Sequence, residues 1–186
     1  MSDLAEGLAQ IPDDAKPLAA LGVGALMLVF LMMFHGAGLH AIIVLRKWGE
    51  QYVLLGRLRQ LRAVSWFGWS VFLLLSLHVA GVMIWTFALL GLGLVPHPYD
   101  AIYFCANAYT TLGYGSVDLE PNWRIIGPII GMSGLFTFAW TASALVDIVA
   151  SHRQLVGQLL DERKREKQHR AARRPAKPDA ARRDAE

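Results

Sequence analysis

Three long apolar runs limit what this chain can fold into. They extend from about Pro17 to Leu45, from about Ala63 to Leu94 and from about Ile125 to Ala150, each beyond the ~20 apolar residues that carry an α-helix across a bilayer. A single soluble domain has no place for three such helices, because it needs polar faces for water. Composition agrees, with 54% of the residues apolar and a positive mean hydropathy, as in membrane proteins. The amino-terminal residues lack the basic region of a secretory signal and the first run is too long for one, so that run is expected to stay in the protein as a span. The single cysteine, Cys105, excludes an intrachain disulfide framework and a CxxC metal or redox motif.

Charge orients the spans, because cytoplasmic loops near span ends carry an excess of Lys and Arg. Between the first two runs lie Arg46, Lys47, Arg57, Arg59 and Arg62 against Glu50, and after the third come Arg153, Arg163, Lys164, Arg165, Lys167, Arg170, Arg173 and further basic residues. Both regions are expected on the cytoplasmic side. The amino-terminal segment, with Asp3, Glu6, Asp13 and Asp14, and the stretch from Val95 to Arg124, with Asp100, Asp118 and Glu120, are then outside.

The middle of that outer stretch is too apolar for a solvated loop, so it is expected to dip back into the membrane. Pro96 and Pro98 are expected to end the second helix, and Asp100 to cap a short helix running to about Thr111. The carboxyl end of that helix would face the membrane centre, where its partial negative charge favours a cation. There follows Thr110-Thr111-Leu112-Gly113-Tyr114-Gly115. On composition alone this hexapeptide is compatible with an ordinary turn. In a membrane setting it also suits a cation site, since a dehydrated ion needs a ring of oxygens and inward-turned backbone carbonyls can supply one. Gly113 and Gly115 tolerate the positive φ that such a backbone demands.

With Ala101 to Tyr109 before it and an apolar run on either side, this loop resembles the pore loop of the potassium channel superfamily, specifically a small bacterial-type channel with a TLGYG filter. The resemblance covers roughly Phe72 to Ser151 and aligns without gaps from Arg124 onward. It implies an all-α membrane protein with three transmembrane helices, a re-entrant pore helix and a selectivity filter, four chains making one tetrameric pore. It further implies that Thr111, Leu112, Gly113, Tyr114 and Gly115 form the filter, that K⁺ is held by the backbone carbonyls of Thr111, Leu112, Gly113 and Tyr114, and that the Thr111 hydroxyl is the innermost ligand. Thr110 supports the filter, and Tyr103 and Phe104 match the aromatic pair that braces it. Gly134 falls at the family's glycine hinge, with Gly131 and Pro128 as further bending points. Leu135, Phe138 and Ala142 turn toward the central cavity, as inner-gate candidates that an apolar constriction would close by dewetting. Trp140 lies close by, facing the cavity, lipid or a neighbouring helix.

Three positions depart from the family pattern. Leu112 stands where Val or Ile is usual, which alters packing behind the filter. Ser116 replaces the usual acidic residue after the last glycine, and Asn107 stands where some members carry a buried glutamate. The carboxyl pair behind the filter thus becomes a neutral Asn and Ser, and little direct proton sensitivity is expected there.

His35, His40 and His78 fall within the runs, where ionisable residues are functional candidates. His35 and His40 point roughly 140° apart on a helix, so they do not stack as a metal pair. His35 and His78 can approach at similar depth on neighbouring helices. Hydrogen bonding between helices is the first reading for them, with a proton sensor and a metal site behind it. Gly22, Gly24, Gly36 and Gly38 give the first run thin faces that suit a packing helix clamped onto the pore. None of the runs carries the repeated Arg or Lys of a voltage sensor.

The expected organisation is an extracytoplasmic segment (1–16), a peripheral transmembrane helix (17–48), a basic cytoplasmic loop (49–62), a pore domain (63–151) and a basic cytoplasmic tail (152–186). In the tail, Leu155, Val156, Leu159 and Leu160 suggest a short helical extension before disorder. Its basic clusters suit contact with anionic lipid rather than nucleic acid. The chain is expected in a plasma membrane, a bacterial inner membrane by the resemblance, passing K⁺ down its gradient with membrane lipids and three further copies as partners, no organic cofactor and no covalent chemistry. Alternatives are a weakly selective cation channel, and a non-conducting channel-like scaffold or histidine-based sensor.

Overall fold

The computed structural model describes residues 12–53, 59–115 and 117–172. Its elements run α1 (Lys16–Val53), α2 (Arg59–Gly91), α3 (Pro98–Tyr109), a 3-10 turn (Pro121–Trp123) and α4 (Ile126–Ala172), with no strand among the described residues. α1, α2 and α4 are long and apolar enough to cross a membrane, and α3 is a helix of 12 residues packed between α2 and α4. α1 lies along α2 and α4 and also touches the 3-10 turn.

α1 shows how such a bundle coheres. Its buried positions are Ala20, Gly24, Leu31, His35, Leu39, Ile42, Arg46 and Gly49, one stripe at helical spacing. Its other faces leave Leu18, Leu26, Val29 and Met33 more than half exposed, which suits lipid. Apolar surface gains nothing by leaving lipid for a neighbouring helix, so small residues and interhelical hydrogen bonds must hold the helices together. Side chains of the other helices sit against the glycines of α1: Ile129 on Gly24, Trp140 on Gly36 and Leu77 on Gly38. Gly22, expected to share this role, faces open space instead, because it lies off the buried stripe.

Two apolar clusters fill the bundle. One gathers Leu31, Trp85, Leu89, Cys105, Tyr109, Trp123, Ile126 and Ile130 around α3. The other, toward the opposite end, joins Leu39, Ile42, Leu74, Leu77, Ala144 and Ile148. Trp85 Nε1 donates to Ser133 Oγ at 3.0 Å, tying α2 to α4 through the first cluster.

Several expected boundaries shift for physical reasons. α2 ends not at its prolines but at Gly93, whose φ of 69° closes a Schellman motif: Gly93 N–H donates to Leu90 O at 3.1 Å and Leu94 N–H to Leu89 O at 3.0 Å. Pro98 opens α3 rather than closing α2, since its fixed φ suits a first helical position. His97 is therefore the N-cap, and Asp100 lies in the first turn, where its charge still meets the positive end of the helix dipole. Pro128 lies in the first turn of α4, where an amide has no intrahelical partner, so it is no bending point and α4 continues through it.

The expected loop 49–62 is shorter, because α1 runs to Val53 and α2 begins at Arg59. Arg57 lies outside the described residues, as do the acids Asp3 and Glu6. The tail is helical to Ala172, well beyond the short extension expected. Leu159 is buried against Ala63, with Leu155 and Trp66 packed beside them, so α4 docks on the start of α2. Beyond that dock Asp161 pairs with Lys164 at 3.9 Å, and Glu166 and Arg170 stand at the supportive i, i+4 spacing. Residues 173–186 lie outside the described residues. If the dock holds this extension, Leu159→Ala lowers stability by about 2 kcal/mol, while Leu160→Ala, on an exposed position, leaves the detergent unfolding midpoint unchanged.

Candidate functional site

The hexapeptide leaves the carboxyl end of α3 through the same motif that ends α2, with one difference. Thr110 is the C-cap at φ −87°; Thr111 N–H donates to Ala108 O and Leu112 N–H to Asn107 O, both at 3.0 Å. The position that Gly93 fills at the end of α2 is filled here by Thr111, at φ 59° the one described non-glycine residue with positive φ. For an L-residue with a branched Cβ this conformation costs about 1–2 kcal/mol, so local backbone preference alone does not account for it. Gly113 follows at φ 69° and Gly115 at φ 145°, while Leu112 and Tyr114 between them keep negative φ. In a regular extended chain successive carbonyls point to opposite sides, and alternating the sign of φ turns them toward one side. A row of carbonyl oxygens facing one way is what a dehydrated cation needs.

Residues Thr110 to Gly115 are all exposed in the single chain. Leu112 is 60% and Tyr114 70% exposed, a large apolar and aromatic display for a loop held between helices. Behind the loop a cavity of about 300 Å³ is lined by Tyr103, Phe104, Asn107, Val117, Asp118 and the loop itself. Tyr103 reaches the far end of the loop: a Cβ on Gly115 would come 3.0 Å from its ring. Phe104 lines the same cavity and approaches Gly127 of α4. Asn107 turns back on its own helix, its Nδ2 donating to Tyr103 O at 2.8 Å. Thr110 Oγ1 likewise donates to Ala106 O at 2.7 Å. Ser116 lies outside the described residues, and the acidic group beside the cavity is Asp118.

α4 accepts the end of α3 through glycines. A Cβ on Gly131 would come 3.2 Å from Ala108 O, and one on Gly134 would run into the carbonyl of Tyr109. Gly134, expected as a hinge, thus first meets a demand for space, and α4 passes through it as continuous helix. The stripe Gly127, Gly131, Gly134 at helical spacing was the sequence signal for this seat.

The inner-gate candidates separate. Leu135 and Ala142 lie on the exposed face of α4. Phe138, expected to turn to the cavity, stacks on His78 of α2 at 4.4 Å and 18°. Trp140 rests against α1, its ring on Gly36 and 6.4 Å from that of His35. A polar cluster joins these helices. His35 Nε2 bonds Thr141 Oγ1 at 2.9 Å, His78 Nδ1 bonds Tyr109 OH at 3.1 Å, and Tyr109 OH bonds Thr137 Oγ1 at 2.6 Å. His35 and His78 therefore engage in the expected interhelical hydrogen bonding, while His40 is exposed. No group of three or more metal-ligating residues occurs among the described residues. Sequence reasoning missed Tyr109, Thr137 and Thr141, for which the signal was a run of hydroxyl residues inside apolar helices.

Gly134→Ala puts a methyl group against backbone that has nowhere to swing, and is expected to destabilise by about 1–3 kcal/mol. Gly22→Ala, with nothing within 4 Å, is expected to be neutral or to stabilise by up to about 1 kcal/mol. Thermal unfolding of the two variants in detergent checks the contrast.

A family model described as an ion channel matches residues 61–151. Comparison with curated proteins finds no match, and neither does comparison with solved structures. The matched stretch takes in α2, α3, the alternating loop and the first half of α4, and leaves out α1 and the far end of α4. The segment from Leu61 to Ser151 is therefore similar to the ion-channel family.

Proposed function

We propose that four copies of this chain assemble around one axis into a potassium-selective pore, each contributing Thr111, Leu112, Gly113, Tyr114 and Gly115 to a shared filter. The observation that carries this reading is the alternation of φ sign through Thr111, Gly113 and Gly115, with a β-branched residue in a strained position. Strain of this kind persists where the surrounding structure enforces it, and it gathers at functional sites. One loop supplies one side of a ring, and bare backbone at membrane depth must be covered by protein or line a watery path. Three further copies meet both needs. K⁺ then exchanges its water shell for the carbonyls of Thr111 to Tyr114 and the Thr111 hydroxyl, while the negative end of α3 favours its charge.

Tyr103 and Phe104 brace the loop, and Leu135 and Ala142 face the axis on α4, with any bending of α4 centred near Gly134. The basic residues near the α1–α2 junction and on the end of α4 support a cytoplasmic side for both. The charged end of α4 then lies where it meets anionic lipid, and Asp118 and Glu120 concentrate cations at the outer mouth.

A weakly selective cation channel is the second reading. It is favoured by one observation: beside the cavity behind the loop, Asn107 donates from Nδ2 to Tyr103 O of its own helix, rather than to the loop among the described residues.

Reconstitution into liposomes tests both. The potassium reading expects a homotetramer whose reversal potential follows the K⁺ gradient and ignores Na⁺. Equal response to both ions selects the second reading, while a dimer or trimer, or absence of flux, contradicts the pore and leaves a channel-like scaffold or sensor. Gly113→Ala is expected to cut K⁺ flux by about tenfold or more, the factor matching 1–2 kcal/mol of backbone strain.

A further inference from the structure

The direction of the hydrogen bonds around Tyr109 can be worked out. Thr137 Oγ1 lies 2.9 Å from both Ser133 O and Gly134 O. Carbonyls only accept, so the single Thr137 hydroxyl proton goes to them and its oxygen accepts from Tyr109. The Tyr109 proton is then committed to Thr137, and its oxygen must accept from His78. This assigns the proton of His78 to Nδ1 and leaves Nε2 as a buried acceptor, and Nε2 indeed has no partner among the described residues. The chain of donation runs from His78 of α2 to Tyr109 of α3 to Thr137 and the backbone of α4.

Two rings lie against that of His78. Phe138 stacks on it at 4.4 Å, and the His35 ring lies 5.1 Å away, itself tied to Thr141. Tyr109 is 1% exposed and Thr137 0%, so no water competes for their bond. Tyr109 also touches α4 a second time, through its carbonyl against Gly134. It is thus pinned at side chain and main chain, and Thr110 and Thr111 follow it directly.

We infer that Tyr109 is a positioning residue for ion discrimination, its hydroxyl held between His78 and Thr137 so that the end of α3 sets where the Thr111–Gly115 carbonyls stand. His35 backs the His78 ring, which makes α1 part of the filter's support although it lies outside the matched segment. This rests on the potassium-filter reading.

The test is the K⁺/Na⁺ permeability ratio of full-length, reconstituted protein, with assembly followed by size-exclusion chromatography. Tyr109→Phe keeps the ring and removes the hydroxyl; it is expected to assemble normally and lower the ratio by about fivefold, the factor that one ordinary hydrogen bond is worth. Thr137→Val, similar in shape, moves the ratio the same way and decides the matter should Tyr109→Phe not assemble. His78→Leu also lowers it, whereas His78→Asn, whose amide can donate near the place of Nδ1–H, largely restores it. An assembled Tyr109→Phe or Thr137→Val protein with the unaltered ratio overturns the inference while leaving the filter reading intact. An unmodified protein that does not distinguish K⁺ from Na⁺ overturns both.

Discussion

The whole arrangement depends on how closely the end of α3 approaches α4. A helix of 12 residues is too short to span a bilayer and must be held by its neighbours. It is held because Gly131 and Gly134 have no side chains, so that the carbonyls of Ala108 and Tyr109 rest directly on the backbone of α4. Water is absent from the bilayer core, and dispersion and hydrogen bonding gain in relative weight. Removing Cβ atoms at the crossing point is then the most direct way to bring two backbones together, and the loop that leaves α3 inherits its position from that contact.

The two Schellman motifs make an informative pair. At the end of α2 the left-handed position is filled by Gly93, and the chain simply turns. At the end of α3 the same bonding pattern forms with Thr111 in that position, against the local preference of a β-branched residue. The flanking bonds to Asn107 and Ala108 supply part of the compensation, and Gly113 and Gly115 continue the alternation at no steric cost. A turn with no function beyond turning has no need of this conflict, which is why the strain at Thr111 says more than the glycines do.

α1 is more than a lipid-facing outrigger. It receives Ile129, Trp140 and Leu77 on its glycines and buries His35 beside His78. Ring packing between His35 and His78 and the bond from His78 to the Tyr109 hydroxyl together link α1 to the end of α3. The same hydroxyl chain ends on backbone carbonyls at Gly134, so any displacement of α4 there acts directly on Tyr109. The far end of α4 is joined to the bundle separately, through Leu159 on Ala63.

Much of this was legible in the linear order of residues. Hydropathy over a window of bilayer length depends on no partner, so the positions of α1, α2 and α4 followed from composition. The orientation proposed for them rests on where Lys and Arg fall. The hexapeptide and the short helix before it could be read because helix ends and positive φ are local requirements. Local reading failed where two local rules competed, as when Gly93 ended α2 ahead of Pro96 and Pro98 displaced Asp100 from the cap. It failed more completely where the outcome depends on the rotational phase of one helix against another. That Phe138 stacks on His78, that Trp140 lies on Gly36, that Gly22 faces open space and that Tyr109 bonds Thr137 are all settled by how the axes cross. The chain alone determined which segments are long and apolar enough to cross a membrane and where a loop of alternating φ can form. Only the packed bundle decided which side chains hold that loop, because contacts between helices depend on angle and distance that no run of residues along one helix contains.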